Sequence, residues 1–164
     1  MSRALAVSYK NSFTISHRYP TAHGFRVDFL DTLAVLAGCT ENLKGQLPDG
    51  KQPDVLRVNR KHRTLFIGDA KDSETPNCQA TRFRLFNYFR WLAVHMTKEN
   101  TRGVFALCFG KAIEIHGWVE TLTELAHETE LLQFQCQLSK FGDSIIVTSL
   151  VFTNGIMGQM ATKS

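Results

Sequence analysis

Long apolar runs are missing from this sequence. The best of them, Ser144–Phe152, has the length of a strand and falls well short of the ~20 residues a membrane-crossing helix needs. The opening stretch, MSRALAVSYKNS, has no sustained apolar segment, so no secretory signal is expected and the protein reads as cytoplasmic, with no membrane partner. The four cysteines, at positions 39, 78, 108 and 136, lie too far apart for a CxxC half-site, which excludes a zinc knuckle. No disulfide framework is expected either, and buried reduced thiols fit a cytosolic chain. The six histidines form no HxxxH or HExxH pattern, the signature of many zinc hydrolases. Internal repeats and low-complexity tracts are absent. At 164 residues, 43% hydrophobic and 21% charged, the chain has the composition of one folded domain with a core of its own.

Charge is divided unevenly. Positions 1–111 carry most of the Lys and Arg of a chain whose net charge is +4, whereas positions 112–164 are acidic on balance. A basic body with an acidic C-terminal part points to a polyanion on one face and leaves the acidic part to dock a protein partner.

Apolar spacing predicts a helix over Phe25–Ala37, stopped by Gly38, and then a loop over Thr40–Gln52 with a turn at Pro48-Asp49-Gly50. Asp54–Asn59 and Thr64–Lys71 read as strands joined by Arg60-Lys61-His62-Arg63. A helix opening at Thr75-Pro76 should run to about Met96, followed by a strand over Gly103–Phe109. Trp118–Leu132 reads as a helix and Gln133–Phe152 as a hairpin turning at Lys140–Ser144. The order predicts a single mixed α/β domain.

The strand Thr64–Lys71 breaks into Asp69-Ala70-Lys71 as it ends. With a two-residue turn at Lys61-His62, Asn59 faces Thr64, Val58 faces Leu65, Leu56 faces Ile67 and Asp54 faces Asp69. One face of the hairpin then carries an apolar patch with Asp54, Asp69 and Lys71 at one end. Two carboxylates directly opposite each other repel unless a cation offsets them, and Mg²⁺ suits a site of one or two carboxylates completed by water and phosphate.

In these residues the chain resembles the PD-(D/E)xK nucleases, which include many type II restriction endonucleases and archaeal Holliday junction resolvases. Pro53-Asp54 matches the PD element and Asp69-Ala70-Lys71 the (D/E)xK element, with aspartate in the variable place. Pro48-Asp49-Gly50-Lys51 carries the same letters in turn chemistry, with no strand leading into it. The resemblance covers about residues 24–110 and implies a restriction-endonuclease-like core there, a central mixed sheet flanked by helices, with the C-terminal helix and hairpin over 112–164 as an addition. It also implies a metal-dependent endonuclease acting on nucleic acid, with DNA the expected substrate.

It further implies that Asp54, Asp69 and the Ala70 carbonyl hold Mg²⁺, replaceable by Mn²⁺, and that Lys71 acts in catalysis. The family often adds an acid from the first helix, here Asp28, with Asp31 as the alternative. Arg57, Arg60, Lys61 and Arg63 are expected on backbone phosphates, with Gln79 and Arg82 approaching from the second helix. A small enzyme cutting both strands would act as a homodimer. The alternative is the same fold as a non-catalytic nucleic-acid-binding module, or as a nuclease-fold subunit of a restriction, repair or mobile-element complex.

Overall fold

A computed structural model describes residues 22–43, 52–71, 78–110, 115–141 and 145–153. The elements are α1 (Ala22–Leu36), β1 (Glu41–Asn42), β2 (Val55–Asn59), β3 (Thr64–Lys71), α2 (Gln79–Glu99), β4 (Arg102–Phe109), α3 (Ile115–Glu128), β5 (Phe134–Lys140) and β6 (Ile146–Phe152). The strands form one mixed six-stranded sheet in the order β1-β2-β3-β4-β6-β5. The β3–β4 pair is parallel, with α2 in the connection that a parallel pair requires; every other pair is antiparallel.

Both faces of the central strands are covered, so β3 is buried from Leu65 to Lys71. Leu65 and Ile67 join Leu56, Val58, Leu85, Phe89, Phe105 and Trp118 in a core beneath α2 and α3. The alternate residues Phe66 and Ala70 join Phe29, Leu30, Ala34, Val55 and Ala106 beneath α1. A charged side chain on β3 therefore has to end up in one of two closed layers, unless it lies where the layer runs out.

Gly38 ends α1. At φ +89° it adopts the left-handed conformation, Gly38 N–H donates to Val35 O (2.9 Å) and Cys39 N–H to Ala34 O (2.9 Å). A Cβ at Gly38 would lie 2.6 Å from Nδ2 of Asn59, so the same glycine lets the helix end sit against the β2 terminus. Asn100 ends α2 in the same left-handed region.

Several boundaries differ from the sequence reading. α1 opens at Ala22, and α2 is described from Gln79 with Cys78 at its N-cap; the expected start at Thr75-Pro76 lies outside the described residues. The β2–β3 connection is a four-residue turn closed by Arg63 at φ +49°, not a two-residue one. Opening one more pair at the tip leaves the register as expected, with Leu56 opposite Ile67 and Val58 opposite Leu65. The C-terminal third is no appendage: β6 pairs with β4 from Ile146 to Phe152, and α3 shares the core under α2. None of the four cysteines is in a disulfide; Cys39 and Cys108 are buried as expected, whereas Cys78 is half-buried and Cys136 is exposed on β5.

Candidate active site

The face carrying Leu65 and Ile67 continues to Asp69 and Lys71, and there α2 no longer covers the sheet completely. A cleft of about 320 Å³ opens at this end, lined by His23, Gln52, Asp54, Asp69, Lys71 and Arg84, with Ala70 and Tyr88 completing the wall. The expected constellation of Asp54, Asp69 and Lys71 is thus brought into one cleft.

Hydrogen bonds fix the two aspartates reciprocally. Asp54 N–H donates to Oδ1 of Asp69 at 3.3 Å, and Ala70 N–H donates to Oδ2 of Asp54 at 2.8 Å. The strand pairing itself ends one residue earlier, at Val55–Gly68, and Asp54 sits at a bend before β2, so it meets Asp69 through these side-chain bonds and not as the paired strand residue expected from the sequence. Nζ of Lys71 lies 2.7 Å from Oδ2 of Asp69, an ion pair with side-chain exposures of only 2% and 5%. That same Oδ2 accepts no hydrogen bond of regular geometry from the described residues.

Burial raises the Asp69 carboxyl from its ordinary range to about 6; the Lys71 ammonium pulls it down, and the neighbouring Asp54 charge pushes it up further. Asp54 is more open, with 26% of its side chain exposed and Nε2 of His23 3.7 Å from its Oδ1. The cluster has one buried carboxylate under electrostatic stress, one accessible carboxylate and one buried amine.

Asp28 lies on the other side of Asp54. A second cleft between α1 and β2, about 460 Å³, is lined by His23, Asp28, Asp31, Asn42, Asp54 and Arg57 among others. His23 and Asp54 belong to both clefts. Asp31, the alternative to Asp28, is committed elsewhere: its carboxylate grips Arg57 through Nε (2.6 Å) and Nη2 (3.1 Å). Nη1 of Arg57 donates to Thr40 O at 2.7 Å, so this guanidinium ties α1 to β2 rather than standing open to phosphate.

Other expected contacts fall away from the cleft. Arg82 meets Glu128 on α3 at 2.5 Å and Glu124 at 3.4 Å, and with Gln79 it borders a surface groove beside Phe83 and Leu125. The α2 cation that lines the cleft is Arg84, one turn before Tyr88, whose hydroxyl donates to Gln52 O at 3.1 Å. Arg84 makes no ion pair among the described residues. An i, i+4 count back from Tyr88 leads to Arg84, and His23 sits in the first turn of a helix that opens earlier than its apolar stripe.

The tip cations Arg60, Lys61 and Arg63 are exposed, but they stand at the opposite end of β3 from Asp69. That is about 20 Å along the strand at ~3.3 Å per residue from Arg63. Nε and Nη2 of Arg60 already meet Glu41 at 2.7 and 2.8 Å, an exposed pair that exchanges readily with solvent.

Asp54 and Asp69 are the carboxylates of the cleft that could hold a hard divalent cation such as Mg²⁺ or Mn²⁺, which takes oxygen ligands and completes its shell with water and phosphate. Among the described residues no group of three or more His, Cys, Asp or Glu is placed to hold a metal ion, so an ion at this pair of carboxylates would take its remaining ligands from water and substrate. Pro48-Asp49-Gly50-Lys51, the competing motif, lies outside the described residues. No helix among the described residues is long and apolar enough to cross a membrane. Compared with known proteins, the chain matches no family model, no curated protein and no solved structure, and its chemistry is read from these residues.

Proposed function

We propose that this chain is a metal-dependent nuclease of the PD-(D/E)xK kind, hydrolysing phosphodiester bonds of nucleic acid, with DNA the expected substrate. One observation carries the reading: Asp54, Asp69 and Lys71 share one cleft where the cover over β3 ends, locked together by the Asp54–Ala70 and Asp69–Lys71 contacts. A bound Mg²⁺ or Mn²⁺ supplies Lewis-acid polarisation of the phosphodiester. Asp54 and Asp69 would hold the ion, and the Ala70 carbonyl is available from the same stretch of β3. Lys71 offers a buried positive charge against the negative charge that develops on the phosphoryl oxygens. Its amine also stands where it can hold or pass a proton of the attacking water. Arg84 contributes a cation from α2 to the same cleft and orients the phosphate.

The decisive assay incubates the purified chain with supercoiled, linear, branched and single-stranded DNA in Mg²⁺, Mn²⁺ or EDTA. Cleavage in either metal that EDTA stops is expected. Binding without cleavage in every metal would leave the binding-module reading in its place.

Salt dependence tests where the strand passes. Lys61 and Arg63 make no ion pair among the described residues, and Arg60 can exchange Glu41 for a phosphate. Replacing all three by Ser should weaken binding equally for every sequence. It should flatten the log–log salt slope by between ~1.8 and ~2.7, the upper figure counting Arg60. An unchanged slope would place the nucleic acid away from this turn.

A further inference from the structure

A larger cleft, about 530 Å³, opens at the far end of α2, where β1 and the β2–β3 turn meet the last turns of the helix. Asn42, Arg60, Arg63, Trp91, His95 and Thr101 contribute to its lining. Trp91 and His95, one helical turn apart, stack with ring centroids 4.1 Å apart and planes at 23°, making an aromatic wall. Burial lowers the His95 pKa, so the ring is neutral at physiological pH and adds no charge to the wall. Thr101 is 8% exposed, and its Oγ1 has no hydrogen-bond partner among the described residues. A buried hydroxyl left unpaired is costly, and a ligand seated against the Thr101 wall of the cleft would offer it a partner. Arg63 stands at the rim. Glu41, also in the lining, is held by Arg60, and Glu99 is exposed at the edge.

We propose that this cleft binds one nucleotide of the nucleic-acid strand, base on the Trp91–His95 wall and phosphate on Arg63, a few nucleotides from the bond that is cut. A purely apolar ligand would leave Thr101 unpaired, and a bare phosphate would leave the aromatic wall unused. A nucleotide meets all three features: a π-face for the rings, a base edge or sugar hydroxyl for Thr101, and a phosphate for the guanidinium. The placement along a strand rests on the nuclease reading. Both clefts lie on the α2 side of β3, with Leu65 lining one and Asp69 the other. Four strand residues advance about 13 Å at ~3.3 Å each. A stacked strand covers that distance in about four nucleotides at ~3.4 Å per nucleotide. The bond cut should then lie about that far from the anchored nucleotide.

Adenosine 5′-monophosphate titrated into the wild-type chain in EDTA, followed by calorimetry and tryptophan fluorescence, tests the binding. Trp118 is fully buried, so quenching reports Trp91. Saturable binding is expected, weakened about fivefold by Thr101→Val, which keeps the side-chain shape, and about as much by Arg63→Gln. Trp91→Leu should abolish it. A hexanucleotide reaching both clefts should bind Asp69→Asn, whose cleft repels phosphate less, at least ~10-fold tighter than the mononucleotide does. Absence of saturation, or affinities unchanged in all three variants, overturns the site; equal affinity for hexanucleotide and mononucleotide overturns its place along the strand. The titration omits metal and hydrolysis, so failure of the nuclease reading leaves mononucleotide binding intact, and failure of the subsite leaves metal-dependent cleavage intact.

Discussion

Asp69→Asn should reduce hydrolysis to the level of buffer alone while nucleic-acid binding is kept or tightened. The substitution keeps the side-chain shape and removes a negative charge that both holds the cation and repels phosphate. Lys71→Ala, which takes away the buried ammonium 2.7 Å from Asp69, should slow cleavage on the order of a hundredfold or more. Single-turnover cleavage and filter binding on the same preparations separate the two effects. Near wild-type cleavage by either variant would remove that residue from the mechanism.

Lys71→Met should destabilise the metal-free protein by about 3–5 kcal/mol near pH 7.5, the scale expected when a buried ion pair loses one partner. The loss should shrink near pH 5. The sign follows from Asp69, whose carboxyl is raised from 3.8 to about 6, chiefly by burial, with Lys71 opposing the rise. Between those two values the unfolded chain releases this proton while the folded chain keeps it, so this group lowers stability as pH rises through that window. Without Lys71 the carboxyl rises further, and at pH 5 it is protonated and needs no counter-charge. Adding Asp69→Asn to Lys71→Met should recover most of the stability at pH 7.5. Urea unfolding in EDTA at both pH values measures this; an equal loss at pH 5 and pH 7.5 would mean that the ion pair contributes nothing.

The hairpin was the legible part of the site. Alternation along Leu65, Ile67, Asp69 and Lys71 depends only on strand geometry, and the four-residue turn preserved the pairing that a two-residue turn implied. What α2 contributes was less legible, because the helix packs against the sheet and also against α3. Its apolar stripe could not tell which flank faced the cleft, and Arg82 went to the acids of α3 while Arg84 lined the site. Counting cations in the sequence also overstated the surface open to phosphate, since Arg57 and Arg60 are held by Asp31 and Glu41. Those partners lie on α1 and β1, brought to β2 only by the tertiary fold. The two-residue strand β1 has no period of its own to detect.

The contrast between the two connections of β3 has a kinetic consequence. β2 and β3 close over four residues, positions 60–63, whereas β4 joins β3 only across positions 72–101. Loop-closure entropy alone favours the shorter connection by about 2 kcal/mol on a (3/2)RT ln n scale. The hairpin bearing both aspartates can therefore form while β3 is still an edge open to water, when neither carboxylate is desolvated. Their mutual repulsion then carries little weight, and its cost arrives only as α2 and β4 dock and bury Asp69 together with Lys71. Docking, rather than hairpin closure, is the step of folding at which pH and divalent cations should act.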